Sequence, residues 1–580
     1  MDSRTAAHTL SLIGSLLELR GEQRFKVRAY QNAAHAVLST DVDDIEPMLR
    51  SGELRDLPGI GPGTLAVLTD LVETGESRLL ERLREETPEG LAEMLRVPGL
   101  GTAKIRFIHQ QLGIASLDEL EAAARDGRLA ALPRFGVKTA EKVLQSIDVA
   151  RRAGSRVLLM DGMGEAARVV EGLRHHPLVR RAEVAGSIRR HLEVVADIDI
   201  VAACDDPHRV AEDASRMPGL KRARGEGGTR RLEYVDRTIV DLYCVTPDRF
   251  TVALWRATGS AAHVTAVQRA GESRRLRFDG DTLLDRAGKV TLLTDEHVLY
   301  SALGYSYVEP ELREDRGELQ AALAGKLPAL IESTHVRGVL HCHTVYSDGT
   351  ATVAEMAEAA QALGWEYLGI SDHSQAAFYA GGLKPDAVAR QHDEIDELNA
   401  SLRGFRVLKG IEADILADGR LDYDERILDS FDFVIGAIHA RFGMDGPKMT
   451  QRVLNALDDP HLTALAHPTG RLLLKRDPYA LDLDAVIGKA AERGVALELN
   501  ADPFRMDLSW EYCLSAKRRG AAISIGPDAH STFALANVEL GIGLARKAWL
   551  GPEDVLNCRS ADEVLLRTRR PTPPLAGPRP

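Results

Sequence analysis

From about residue 337 the chain repeats one design seven times. A short apolar, strand-like run stops at a cluster of polar side chains: RGVLHCHTVYSDG, YLGISDHS, VLKGIEADI, FVIGAIHARF, LTALAHPTG, VALELNAD and AAISIGPDAH. Helix-like stretches such as VAEMAEAAQALG and DAVIGKAAERG separate them. Strands that alternate with helices pair in parallel, because the crossover returns each strand in the same direction. Seven such units imply an α/β barrel, whose chemistry sits where the strands end.

Those ends carry His341, His343, Asp348, His373, Glu412, His439, His467, Asp528 and His530. An isolated histidine is more often a core or surface residue than a ligand. Here six of the nine histidines from His335 onward fall just after an apolar run, beside three carboxylates; His335, His392 and His461 stand apart. Nine nitrogen and oxygen ligands exceed the need of one or two ions, so the pattern predicts up to three. Imidazole with carboxylate suits Zn²⁺, Mn²⁺ or Fe²⁺, and no thiolate is required. Such a cluster activates water and stabilises charge on a phosphate. Arg441, Lys475 and Arg476 follow two of the runs, as phosphate contacts or as structural ion pairs.

A second acidic motif stands in AGSIRRHLEVVADIDIVAAC, residues 185–204. Its last part reads as one strand from Val194 to Val201, which sets Asp197 and Asp199 on one face. Like charges on an apolar strand repel and lose hydration unless they share a divalent cation. Asp241, in the strand-like RTIVDLYCV, offers a third ligand. Upstream, Gly186-Ser187 and Arg189-Arg190 supply a turn, a hydroxyl and guanidinium groups for phosphate. Three acids with a phosphate-binding turn suit phosphoryl or nucleotidyl transfer by two metals.

Residues 1–150 carry a helical period and a repeat: LPGIGPGTLAVLTDLV, VPGLGTAKIRFIHQQL and LPRFGVKTAEKVLQSI. Each is a turn closing on glycine before an amphipathic helix. At Gly59-Ile60-Gly61 and Gly99-Leu100-Gly101 a phosphate can approach the helix N-terminus closely. The alternative is an ordinary helix–helix turn. Two close copies favour contact with a DNA backbone. A net charge of −13 argues weakly against nucleic acid, but arginine clusters gather between residues 150 and 290. Five scattered cysteines without CxxC spacing fit a reducing cytoplasm. No apolar run approaches the roughly 20 residues of a membrane span, and no secretory signal is expected.

In chain order the hairpin-like turns, GSIRR, Asp-Ile-Asp, Asp241 and Thr258-Gly259-Ser260 resemble a bacterial family X DNA polymerase. The later set H-x-H, S-D-G, D-H, E-x-D, H, H-P and D-x-H resembles the PHP (polymerase and histidinol phosphatase) domain. The resemblance implies a multidomain chain: a helix-hairpin-helix region, an α+β nucleotidyltransferase palm with its thumb, and an α/β barrel of about seven strands. The expected division is a DNA-binding domain over 1–85, a fingers-like region over 86–152 and the palm over 153–248. The thumb then spans 249–318, a linker 319–335, the barrel 336–570 and a disordered Pro-rich tail 571–580.

By the same resemblance Asp197, Asp199 and Asp241 are catalytic and bind Mg²⁺ or Mn²⁺. Gly186, Ser187 and Arg190 hold the nucleotide's phosphates, and Thr258-Gly259 lies beside its sugar. Gly59, Gly61, Gly99 and Gly101 contact DNA. In the barrel His341, His343, Glu412 and Asp528 hold one metal and the other five residues share two more, with Mn²⁺ preferred. The implied enzyme adds nucleotides to primer ends in short gaps and removes them from 3′ ends, as in base excision repair. It takes gapped or primer-template DNA and dNTPs, works as a monomer in the cytoplasm near the nucleoid, and binds no membrane.

Arg256 and Ala257 stand where the family has an aromatic pair, Val264 where a polar residue is frequent, His191 after the arginine pair and Ala196 before the first aspartate, both in place of glycine. Val67 occupies the position of the lysine that forms a Schiff base in animal members, so no lyase chemistry is expected. These departures leave a second reading: a weak or vestigial polymerase that serves as a DNA-binding platform for the barrel's nuclease.

Overall fold

The computed structural model describes residues 3–568, except 39, 41–44, 75–76, 96, 155, 218–219 and 235–237. The tail 571–580 lies outside the described residues. The N-terminal part is helical around a core that runs from Ala6 to Ala150. The three repeats become turns that enter helices α1 (Pro62–Thr74), α2 (Thr102–Leu112) and α3 (Gly136–Ala153). Gly59 and Gly99 take φ of 97° and 79°, a region glycine enters without steric cost.

Residues 179–245 form a five-stranded mixed sheet of β1 (Val179–Val184), β2 (Ile198–Cys204), β3 (Leu220–Arg224), β4 (Thr229–Tyr234) and β5 (Ile239–Val245), ordered β1-β2-β5-β4-β3. Only β2 and β5 run parallel. The strand expected from Val194 to Val201 is in fact broken. Val194–Val195 pairs with Val157–Leu158, the chain bends at Ala196 and Asp197, and β2 begins at Ile198. The bend leaves Asp197 just before the strand, while Asp199 lies within it. Helices α4 (Phe250–Thr258) and α5 (Ala261–Ser273) follow, with their own core around Trp255 and Tyr300.

The seven repeats form a seven-stranded, all-parallel sheet in sequence order: β6 (Gly338–Val339), β7 (Tyr367–Ile370), β8 (Arg406–Asp414), β9 (Phe433–Ala437), β10 (Leu462–Leu465), β11 (Ala496–Asn500) and β12 (Ile523–Gly526). A parallel bridge between Cys342 and Ala529 brings the first and last strands together, so the sheet is a nearly closed barrel. Its strands are buried on both faces, as expected where helices surround the sheet. Helix α6 (Val538–Lys547) follows the barrel.

One hydrophobic cluster runs from Leu159 of the mixed-sheet region to Val555 of the barrel, so the two regions are packed together. Polar ties cross the same boundary. Glu314 Oε1 accepts Arg190 Nε at 2.9 Å and Lys547 Nζ at 2.5 Å. Arg471 reaches Glu193 at 3.2 Å. His191, at φ 51°, packs on Gly543, where a Cβ would lie 1.9 Å from the ring. No helix among the described residues is long and apolar enough to cross a membrane.

Candidate metal centre of the barrel and the palm carboxylates

Parallel strands point alike, so the seven C-terminal ends converge. Eight of the nine expected ligands lie in the loops just beyond those ends, and Glu412 lies in β8 itself. The structure brings all nine together. His343, Asp348, His373 and His530 form one group, His341, His343 and Asp528 a second, His341, Glu412 and His467 a third, and His373, Glu412 and His439 a fourth. Ligand atoms within each lie no more than 4.8 Å apart. Glu412 is the hub. Its oxygens lie 2.7 Å from His373 Nδ1, 3.0 Å from His467 Nε2, 3.3 Å from His439 Nε2 and 3.5 Å from His341 Nε2.

The donor set fits cations. Buried polar atoms in a folded chain nearly always find a partner. Here His341 Nε2, both nitrogens of His343, His373 Nδ1, His467 Nδ1 and Glu412 Oε2 are buried without a hydrogen bond. Most of them lie among the imidazoles and carboxylates of the cluster, where a shared ion would satisfy them.

Charge in the cluster is divided by position. Burial and the neighbouring His373 hold His343 down to about 4. Burial, with Arg505 nearby, holds His467 down to about 3. These two are neutral imidazoles at neutral pH. Burial also opposes charge on His439, but Glu412 and Asp414 push it up to about 10. Against their own burial, Glu412 and Asp528 stay well below the carboxylate range because imidazoles surround them.

A second layer, which pattern reading did not reveal, orients the first. His341 Nδ1 donates to Glu498 at 2.6 Å and His439 Nδ1 to Asp414 at 2.6 Å. Asp528 receives Asn500 Nδ2 at 3.0 Å and lies 3.2 Å from Arg505. A signal existed: VALELNAD was the one repeat that contributed no ligand, and its Glu498 and Asn500 serve here. Arg476 is held by the carbonyl of Gly470, and Lys475 lies over the Phe504 ring at 3.6 Å, so neither forms the alternative ion pair.

In the mixed sheet the parallel pairing of β2 and β5 sets Asp199 directly beside Asp241. Burial, then Asp197 and Asp241, push Asp199 up to about 7. Arg231 lies opposite Asp241 on β4. Its guanidinium is 2.8 Å from Asp241 and 3.6 Å from Asp197. Tyr243 donates its hydroxyl to Asp199 at 3.4 Å. In the sequence Arg231 is one of the clustered arginines and Tyr243 a flank of Asp241; neither has a place in the site there, because which side chains face the carboxylates is not a local property.

Gly186, at φ 62°, passes so close to Asp199 that a Cβ would lie 1.9 Å from its Oδ2. The Ser187 hydroxyl is buried with no partner among the described residues. Arg190 donates Nη1 to the Thr258 carbonyl at 2.6 Å as well as Nε to Glu314. The turn at Gly186 and the turn at Thr258-Gly259 are thus tied together. Arg256 pairs with Asp281 at 2.7 Å, while Ala257 and Val264 pack against apolar neighbours. In the N-terminal turns Gly61, Gly99 and Gly101 have open space where a Cβ would stand, and a Cβ on Gly59 would meet Asn32 at 3.3 Å.

Comparisons with known proteins cover the chain in the same order. A helix-hairpin-helix domain matches residues 1–77 and a SAM-like helix-hairpin-helix tandem residues 91–148. A DNA polymerase beta thumb matches residues 253–314, and a PHP domain residues 340–501. The DNA polymerase/3′-5′ exonuclease PolX of Bacillus subtilis (strain 168) is 35% identical over 570 residues, 97% of this chain and 99% of that protein. A probable phosphatase of Acetivibrio thermocellus is 32% identical over 242 residues, 40% of this chain and 95% of its own. A probable phosphatase of Clostridium acetobutylicum is 30% identical over 211 residues, 34% of this chain and 81% of its own.

Proposed function

The chain belongs to the bacterial PolX family of DNA polymerases with 3′-5′ exonuclease activity, and from that premise we propose that its two acidic sites divide the two reactions. The palm extends primer ends in short gaps, and the barrel removes nucleotides from 3′ ends, within base excision repair. The observation that carries the division is that the two clusters are separate and differently built. Three carboxylates with a guanidinium between them suit a site whose ions arrive with nucleotide. Nine imidazoles and carboxylates with buried, partnerless nitrogens suit resident ions.

In the palm Asp197, Asp199 and Asp241 would hold Mg²⁺ or Mn²⁺. Bound there, these ions would lower the cost of charge on the primer hydroxyl and the departing pyrophosphate. The chain's own residues position the reactants. The partnerless Ser187 hydroxyl is a ready donor to a phosphate oxygen. Arg190 adds positive charge beside it while holding the Thr258-Gly259 turn, against which the sugar would rest. Gly186 lets this turn lie against Asp199. Gly61, Gly99 and Gly101 would present open backbone to DNA phosphates, with Gly59 shaping the first turn against Asn32.

In the barrel His341, His343, Glu412 and Asp528 would hold one ion, with Asp348, His373, His439, His467 and His530 sharing two more. Mn²⁺ fits this donor set, as do Zn²⁺ and Fe²⁺. Such ions supply an activated water and charge stabilisation at phosphorus. Around them Glu498 and Asp414 fix the tautomers of His341 and His439, and Arg505 holds Asp528. Asp348 and Asp528 push His530 up to about 9 against its own burial, so an ion that takes it as a ligand must displace a proton; its ring is 40% exposed beside Asp348.

The second reading, a weak polymerase serving the nuclease, draws on Arg190, which is engaged with Glu314 and Thr258. One experiment tests both. On gapped DNA, His341→Ala should abolish 3′-end degradation and spare primer extension, and Asp197→Ala should do the reverse. Loss of both activities in either folded variant would refute the division. Steady gap filling by the wild-type chain at physiological dNTP and Mg²⁺ would refute the second reading.

A further inference from the structure

Aromatic residues are only 5% of this chain. Among the described residues six aromatic side chains are exposed: Phe25, Phe378, Tyr379, Phe504, Tyr512 and Phe533. Four of them, all but Phe25 and Tyr512, stand on loops that leave the C-terminal ends of barrel strands. Phe378 and Tyr379 follow β7, Phe504 follows β11 and Phe533 follows β12. That is the end holding the ligand cluster. Phe378, Phe533 and Tyr379 are 84%, 79% and 63% exposed, far beyond what packing needs.

The loops that carry them are pinned by their backbones, so the rings are presented rather than left loose. Ser374 N donates to Glu412 O at 3.0 Å, Leu383 N to His373 O at 2.8 Å and Ala376 N to the Asp422 carboxylate at 2.6 Å. Gly381 lies so close to Ser347, the neighbour of Asp348, that a Cβ there would sit 3.2 Å from its carbonyl oxygen. Thr350 N donates to His530 O at 2.8 Å, and Phe504 N to Asp502 at 2.8 Å. Within the cluster only Asp348 and His530 are substantially exposed, at 38% and 40%. The cluster therefore opens on the side of these two. Phe533 stands three residues beyond His530, and the Phe378–Tyr379 loop is the one packed beside Asp348.

We propose that Phe378, Tyr379 and Phe533 form a stacking rim that holds the bases of unpaired nucleotides at the 3′ end while the terminal phosphodiester enters the cluster. The proposal rests on the barrel as the exonuclease site. Flat rings with polar neighbours suit single planar faces better than a continuous protein interface, and every base has such a face. Lys475, over Phe504, and Arg505, beside Asp528, add the positive charge that a backbone requires. A paired end hides its base faces in the duplex stack, so the rim selects for unpaired termini.

The test uses the full chain, with Phe378→Ala/Phe533→Ala and Phe378→Trp/Phe533→Trp. The substrates are a single-stranded oligonucleotide and one whose last two nucleotides carry tetrahydrofuran in place of a base. The alanine pair should raise KM on the ordinary oligonucleotide about tenfold for each ring lost, within the worth of one base–aromatic stack. It should leave kcat, and KM for the baseless end, at wild-type values. The tryptophan pair should restore KM. Independently, an oligonucleotide ending in 2-aminopurine should be quenched on binding the wild-type chain in EDTA, and not on binding the alanine pair. Unchanged KM and quenching in the alanine pair, or an equal loss on the baseless end, would overturn the rim. If the wild-type chain degraded neither oligonucleotide with Mn²⁺, the exonuclease reading would fall, and the metal-free quenching would still decide whether the rings stack on bases.

Discussion

Arg231 lies 2.8 Å from Asp241 and 3.6 Å from Asp197, with its guanidinium between two carboxylates that otherwise face each other. β4 and β5 pair antiparallel with Arg231 opposite Asp241, so the contact is built into the register. The guanidinium thus supplies positive charge that a dense acidic site requires.

A cation that fills this role competes with the ions of the reaction. Arg231→Met should lower the Mg²⁺ concentration for half-maximal primer extension about fivefold, the equivalent of a ~1 kcal/mol ion pair. A Mg²⁺ titration of gap filling checks this. A midpoint that stays in place or rises would mean that Arg231 yields to the ions without opposing them.

Glu498 fixes the ring of His341 at 2.6 Å without joining the ligand set. Removing such a partner typically costs 10–100-fold in metal affinity or activity. Glu498→Ala should therefore weaken Mn²⁺ binding and 3′-end degradation by about tenfold or more, with gap filling unchanged. Isothermal titration with Mn²⁺ beside the two DNA assays measures it.

Glu296 ties the palm to the thumb. Its own burial raises its pKa, but Arg313 and Arg189 outweigh that and bring it down to about 2. The folded pKa is thus depressed below the usual 4.5, so the stabilisation is fully present above pH 4.5 and is lost as pH falls toward 2. It amounts to ~3 kcal/mol. Glu296→Gln should be less stable by a similar amount at neutral pH and show a flatter pH dependence in that acid window. Urea unfolding at a series of pH values tests both.

Glu314 separates two cations, Arg190 of the palm and Lys547 of the barrel. The Lys547 side chain is wholly buried, 5.2 Å from the Trp510 ring. Glu314→Gln leaves that ammonium without its counter-charge and should cost ~3–5 kcal/mol. Lys547→Met keeps the volume, leaves Glu314 paired with Arg190, and should cost less than ~1.5 kcal/mol. Denaturant unfolding of the two variants compares them; equal costs would mean that stranding the ammonium carries no penalty beyond that of removing it.

The barrel was readable because both of its signals are local. Each apolar run marks a strand, and each polar stop marks the strand's end, so the nine side chains that cluster in the fold followed from position in the repeat. Its second layer was less readable. Glu498 reaches His341 across 157 residues, and inside a strand an acidic residue has no local mark that separates a ligand from the partner of one. The palm motif was readable as three aspartates. The bend at Ala196–Asp197 was not, because it arises from Val194–Val195 pairing with Val157–Leu158 rather than continuing into β2.

What the sequence determined by itself is the order of the parts, the parallel barrel and the residues able to hold ions, since period, turn and residue type act over a few positions. What only the tertiary structure decided is what each charged group faces. By its place in the sequence Arg190 is expected to meet phosphate; in the fold it is a strut, joined through Glu314 to Lys547 of the barrel. Glu314 and Lys547 stand 233 residues apart. Their contact exists because the chain packs these distant segments together, and burial there makes a counter-charge for Lys547 necessary where the same side chains in water would gain little from each other.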